Sequence, residues 1–247
     1  MSDHESRHWK PETGSYEGLK EIVRERRMVY KYASDPVPEA DIERILDAAR
    51  WAPSGHNSQP WEFVVVRDDE RLELLADVLK SQRNWMTDID ERFPAHGRVY
   101  LDQVPVAIVV LGDVRSKSYF PNVDNFGAGE REITDAIYHE SIGCCMQTIH
   151  LAAKSLGYGT VHLTVRHHSQ DQLRELLDVP EQLMIHDIVP LGVPADENAG
   201  QNVDRQPLEQ KLHYETFDDS QFRTNEEFIE DLEDQGKRVR LMHGDSS

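Results

Sequence analysis

Three arginines and one polar loop hold the residue types most suited to chemistry in this chain. Arg26 and Arg27 are adjacent, and Arg205 stands far downstream. A guanidinium fork meets two phosphate oxygens at once, so a clustered pair in a chain poor in cations predicts an anion site. A solvated surface pair is the alternative. Pro53-Ser54-Gly55-His56-Asn57-Ser58-Gln59-Pro60 is a run of small, polar and turn-forming residues closed by a proline at each end. The prolines fix the backbone, and Gly55 permits close approach of a planar ligand. Ser54, Asn57 and Gln59 offer both donors and acceptors. Such polar groups on a rigid scaffold predict a binding loop, against the plainer reading of an ordinary surface loop. Among the histidines, His139 and the pair His167-His168 fall in helix and turn contexts and read as exposed or supporting side chains. Cys144 and Cys145 have no metal-ligand spacing around them, and neighbours on a helix point too far apart for a disulfide.

The elements that must position these groups follow from periodicity. A first helix is predicted from Tyr16 to about Arg27. Ser34 to Pro38 reads as a turn. A second helix then runs over Glu39–Arg50, with Ile42, Ile45, Leu46 and Ala49 on one face and Pro53 ending it. Glu62–Arg67 reads as a strand, and an amphipathic helix follows from Asp69 to about Gln82. Val104–Leu111 is apolar throughout, as in a strand buried on both faces. The stretch Asn84–Gly97, with Trp85, Met86 and Phe93, reads as an irregular segment or helical lid, and Lys117–Glu130 as a loop. Ile133–Leu156 is the longest helical pattern, apolar nearly all round, which places it at the centre of the molecule or in a subunit interface. Gly157 is its stop. Tyr158–Thr164 is a short strand, Ser169–Leu177 a helix opened by an N-cap serine, and Met184–Val193 a last strand. This order predicts an α+β fold, one mixed central sheet flanked by helices. Gly127-Ala128-Gly129 follows no strand and lacks a third glycine, which argues against a dinucleotide fingerprint.

The whole-chain charge narrows the partners. The net charge is −19, and the 27 cations are mostly arginine. Such a surface repels phosphate backbones, so no nucleic-acid partner is expected. Many carboxylates with few lysines fit a halophilic protein, where salt screens self-repulsion. No apolar run is long enough to span a membrane, and the polar start of the chain lacks a secretion signal, so a cytoplasmic protein is expected.

Arg26-Arg27, Pro36-Val37-Pro38, Ala48 to Ser54 and Asn57 to Val64, in that order and spacing, resemble the N-terminal signature of the FMN-dependent nitroreductase family. Ile142-Gly143, Leu151-Ala152-Ala153 and Leu156 to Gly159 resemble its central helix and following strand. Pro190 to Pro194 and Arg205 to Glu209 resemble its last strand and arm. The resemblance implies an interlocked homodimer with FMN at the interface. Residues 16–214 would form the flavin-binding domain, and 215–247 an acidic arm or tail, with loss of order beyond about Gly236.

Site residues carry over position by position. Arg26 and Arg27 match the residues that hold the flavin phosphate and ribityl oxygens, and Arg205 a basic residue closing on the same phosphate. Pro53, Ser54, Asn57 and Gln59 match a loop that touches the partner's flavin. His162, Leu163, Thr164 and Val165 match a segment along the isoalloxazine, whose backbone N–H reaches toward N5. Met28 and Tyr30 depart from the pattern, which has Ser and a cation at these places. Tyr30 can donate a hydrogen bond but brings no charge to a reduced flavin.

The implied activity is ping-pong hydride transfer from NADH or NADPH through FMN to an electron-poor small molecule, a nitroaromatic, quinone or similar. No catalytic side chain is required, because the flavin performs the chemistry. Flavin storage without turnover, flavin fragmentation and dehalogenation are the alternative readings.

Overall fold

The computed structural model describes residues 14–89, 101–118, 127–195 and 205–242, apart from the side chains of Asp102, Ala128, Gln221 and 235–242. Two compact units are present, Met1–Gly200 and Gln201–Ser247.

The first unit is built on an antiparallel sheet. Its strands are β1 (Trp61–Val66), β2 (Val106–Asp113), β3 (Gly159–Thr160), β4 (Leu163–Thr164) and β5 (Leu183–Gly192). They are ordered β1-β2-β5-β3, with β4 also on β5. Parallel pairing enters through an isolated bridge between Met28 and Thr160. Helices α1 (Tyr16–Glu25), α2 (Glu39–Ala49), α3 (Asp69–Ile89), α4 (Ala128–Ser155) and α5 (Gln170–Leu177) accompany the sheet. The expected α+β class is therefore the observed one.

Two apolar clusters fill the two faces. Ile42, Ile45 and Ala49 of α2 and Ile142, Cys145 and Ile149 of α4 pack with Val106, Ile108 and Val110 of β2. On the other face Leu72, Leu75 and Leu79 of α3 and Leu173 of α5 pack with Ala107, Val109 and Leu111. Strand β2 is thus buried on both faces, as its continuous apolar run requires. Strand β5 carries a bulge: Val110 faces Asp187, but Leu111 faces Ile185.

Several boundaries differ from expectation. Helix α1 ends at Glu25, and Arg26 is already extended (φ −62°, ψ 132°), so the arginine pair enters the chain running to the Met28 bridge. Helix α3 continues through Trp85 to Ile89, because Leu72, Leu75, Ala76, Leu79 and Gln82 keep one buried stripe; Phe93 lies outside the described residues. Helix α4 begins at Ala128 instead of Ile133, with Gly127 at φ 89° before it and Glu130 in its first turn. Gly157 stops it at φ 88°, as expected. The expected strand Tyr158–Thr164 is broken into β3 and β4. Ser169 occupies the N-cap of α5, but its side chain makes no capping hydrogen bond.

The second unit holds helix α6 (Asn225–Met242). Its start is closed by a reciprocal capping box: the Thr224 N–H donates to Glu227 (2.8 Å), and the Glu227 N–H donates to the Thr224 hydroxyl (3.2 Å). The helix runs past Gly236, where loss of order is expected from composition.

Candidate functional site

The loop after α2 has an unusual backbone. His56, Asn57 and Gln59 all have positive φ (53°, 54° and 45°) without being glycine. Non-glycine residues in this region cost of order 1 kcal/mol or more each and persist where the surroundings enforce them. The surroundings are identifiable. The Gly55 N–H donates to the Ser141 hydroxyl on α4 (3.1 Å), and the Gln59 N–H donates to the Ser54 hydroxyl (3.0 Å). Pro60 and Trp61 are buried, whereas Asn57 and Gln59 are exposed. The loop is therefore pinned at its base and presents its amides outward.

A second group gathers where α1 gives way to β3. The Val29 N–H donates to the Thr160 carbonyl (3.0 Å), which fastens the segment after Arg26-Arg27 to the sheet. Gly159 makes this approach possible, since a Cβ there would lie 2.6 Å from Val29 Cγ2. His150 of α4 is buried beneath. Its Nδ1 is 2.7 Å from the Thr160 hydroxyl, and its Nε2 is 3.3 Å from His162 Nδ1. The Arg26 guanidinium is near enough to act on the His150 charge. Arg27 turns back, its guanidinium donating to the carbonyls of Arg24 and Arg26 at the end of α1.

The third group is the β4 edge. Leu163 and Thr164 pair with Ile188 and Asp187 of β5, and the Val165 N–H donates to the His186 carbonyl (3.0 Å). His162 and Thr164 are exposed, and Val165 is buried. Asp187 is buried, and its Oδ1 has no hydrogen-bond partner among the described residues. Burial raises its carboxyl above the usual range; His162 and the Thr164 side chain oppose this.

Sequence-expected residues thus fall into separate groups. Arg26, Met28 and His162 converge on Thr160 and His150, and Leu163, Thr164 and Val165 continue from them. Tyr30 follows on the same segment, partly exposed, and its charge when ionised acts on half-buried Tyr32. The loop carrying Pro53, Ser54, Asn57 and Gln59 is held by Gly55 to α4 at Ser141, about 14 Å along the helix from His150 at 1.5 Å per residue. Arg205 is exposed in the second unit. His139, His167 and His168 are exposed, in keeping with a supporting role.

His150, Asp187 and Gln82 were not singled out by the sequence. One signal existed for His150: it follows Ile142, Met146 and Ile149 on the buried face of α4, where an unpaired polar residue is costly.

Buried His150 and half-buried His186 make stability depend on pH. Burial, then His162 and Arg26, lower the His150 pKa to about 3. Burial, then His139 and Lys117, lower that of His186 to about 4. Both are neutral when folded but take up protons on unfolding below their ordinary pKa of about 6.5. Their stabilisation is present above that value and is lost as pH falls toward 4 and then 3. At pH 5 the two together remove up to roughly 4 kcal/mol. Asp187 acts oppositely, its raised pKa favouring the folded state as pH falls. Urea unfolding at pH 7 and pH 5 should show the net loss, reduced in a His150→Gln variant; pH-independent stability over this range would contradict it.

No helix among the described residues is long and apolar enough to cross a membrane. Residues 23–193 match the Nitroreductase family. A protein of Archaeoglobus fulgidus whose name includes NAD(P)H nitroreductase is 30% identical over 79% of this chain and 97% of its own length. An FMN reductase [NAD(P)H] of Bacillus subtilis is 26% identical over 81% of this chain and 75% of its own. An iodotyrosine deiodinase of Nematostella vectensis is 27% identical over 76% of this chain and 71% of its own. Among solved structures, a BluB-like flavoprotein of Clostridium difficile 630 superposes with a TM-score of 0.67 at 24% identity, covering 80% of this chain and 99% of that one. With the family pattern spanning α1 to β5 and the same fold beneath it, the chain belongs to the Nitroreductase family.

Proposed function

We propose that this protein is an FMN-dependent NAD(P)H oxidoreductase that reduces electron-poor small molecules such as nitroaromatics or quinones. The observation that carries the reading is the convergence of Arg26, the β4 edge and His162 around a single buried histidine.

The donor set fits the cofactor. Arg26 offers a guanidinium, partly withdrawn from water, to a phosphate. The open edge of β4 offers backbone N–H donors to the ring. The orphaned Asp187 Oδ1 is a buried acceptor next to that edge. FMN, when bound, supplies hydride chemistry, accepting from NADH or NADPH and passing to the second substrate in a ping-pong cycle. The chain's own residues then bind and orient. Arg26 and Arg27 hold the phosphate end in a protein of net charge −19, where local cations are needed. His150, kept neutral by burial, adds no charge that would compete with Arg26 for the phosphate.

The separation of the loop from Arg26 along α4 supports a homodimer in which Pro53, Ser54, Asn57 and Gln59 complete the partner's site. In this reading residues 16–214 form the flavin-binding part and 215–247 an arm. A cytoplasmic location and a preference for high salt complete it. The test is direct: purified protein incubated with FMN and desalted should keep the flavin visible absorption, and NADH or NADPH should bleach it under anaerobic conditions. Colourless protein after desalting would overturn the reading.

A further inference from the structure

We propose that Gln82 is a positioning residue: its carboxamide closes the outer edge of β4 at the Thr164 carbonyl and leaves the Thr164 N–H as the open donor toward the flavin ring. This rests on the flavin reading above.

The register selects the amide. In an antiparallel pair, residues alternate between those whose N–H and C=O both point at the partner strand and those whose groups both point away. The Val165 N–H donates to the His186 carbonyl, so Val165 points at β5. Thr164, opposite Asp187, therefore points away. Its C=O and N–H lie on the free edge of the sheet, one residue's height apart.

Gln82 satisfies one of these groups and not the other. Its Nε2 donates to the Thr164 carbonyl (3.0 Å), and its Oε1 accepts from the Arg166 N–H (2.6 Å). A neighbouring parallel strand would meet the same two atoms with the N–H and the C=O of one residue. The side-chain amide supplies both groups in place of that residue, and the ladder goes no further. The edge is sealed from Thr164 C=O onward and stays open at Thr164 N–H.

The placement of Gln82 is specific. It ends the stripe Leu72, Leu75, Ala76, Leu79 on α3, a position where an aliphatic residue would pack, and it is 7% exposed. A buried amide there is tolerable only with both ends bonded. Gln170 offers an internal comparison. Its carboxamide closes the edge of β5 at Ile185 in the same manner, with Nε2 donating to the carbonyl (2.6 Å) and Oε1 accepting from the N–H (3.1 Å). Both groups of Ile185 are consumed, so that clamp leaves no donor over and is structural.

The experiment uses the FMN-loaded protein and three variants, Gln82→Leu, Gln82→Glu and Gln170→Leu. The readouts are the anaerobic rate of flavin bleaching by NAD(P)H against pH, the flavin midpoint potential, FMN affinity and thermal stability. Gln82→Leu should slow hydride transfer roughly tenfold to a hundredfold, because displacing a positioning group by a fraction of an ångström to an ångström has effects of that order. Its FMN affinity should remain close to wild type, since the phosphate is gripped elsewhere. Gln170→Leu should lose stability without a change in bleaching rate or potential. Gln82→Glu should be slow at high pH, where a carboxylate faces the Thr164 carbonyl. It should recover as pH falls, because the protonated acid again donates to that carbonyl and accepts from the Arg166 N–H.

Wild-type bleaching rates in Gln82→Leu, or a Gln82→Glu profile parallel to wild type, would overturn the proposal. If Gln82→Leu does not fold, the Gln82→Glu pH profile decides alone. Wild-type protein that takes up no FMN removes the flavin reading itself; wild-type turnover with unaltered Gln82 variants removes only the role of Gln82.

Discussion

Arg26→Ala is expected to weaken FMN binding about 100-fold while riboflavin binding changes little. The arithmetic rests on charge-assisted hydrogen bonds worth roughly 1.5–3 kcal/mol each, so losing the principal phosphate fork costs about 2.7 kcal/mol. His150 beneath it does not replace the charge. His150 is neutral at physiological pH because burial opposes its protonation. Arg27 is occupied with the carbonyls of Arg24 and Arg26, so Arg27→Ala should have the smaller effect. Fluorescence titration of apoprotein with FMN and with riboflavin separates the two roles. Equal losses for both flavins would assign Arg26 to the scaffold and remove it from the phosphate site.

Gly159→Ala should be comparably damaging, by a different route. The new Cβ would lie 2.6, 2.7 and 2.8 Å from three atoms of Val29, including its Cβ. None of these is the free end of a flexible chain, so backbone must move. Forcing a methyl group into a packed site costs about 1–3 kcal/mol and sometimes more. The upper end is expected, because the displaced segment is also bonded through Val29 N–H to Thr160. Pushing that segment off the sheet moves Arg26, so flavin should be released in parallel with the fall in denaturation midpoint. A Val29→Gly change in the same chain should restore part of both. Unaltered stability of the single variant would show that the segment yields freely at this contact.

The elements and the loop were legible where the residues speak locally. Two prolines around Ser54, Asn57 and Gln59, the aliphatic face of α2 and the continuous apolar run of β2 each report their environment within a dozen residues. The arginine pair was legible as a type, but not its backbone: Arg26 belongs to the strand-like segment because Val29 finds Thr160, far along the chain. Strands β3 and β4 have two residues each, too few for any periodicity. Gln82 read as the end of a helix, because its partners lie more than eighty residues away on an edge that exists only after folding. Asp187 sat inside an apolar strand with no local hint that one of its oxygens would be orphaned.

The bulge in β5 determines which face each half of that strand belongs to. Val189 and Leu191 join the cluster beneath α2 and α4, whereas Ile185, an even pleat away from both, joins Ile188 beneath α3 and α5. The extra residue, His186, is what inverts the parity. It lets both halves of β5 bury their aliphatic residues while Asp187 stays on the same face as Val110. The same strand drawn without the bulge, with His186 in the regular pleat, would keep its composition unchanged. It would nonetheless face a choice between two frames, one wetting Ile185 and the other wetting Val189 and Leu191. The bulge, and not the composition of the strand, is therefore what allows Ile185, Val189 and Leu191 all to be buried.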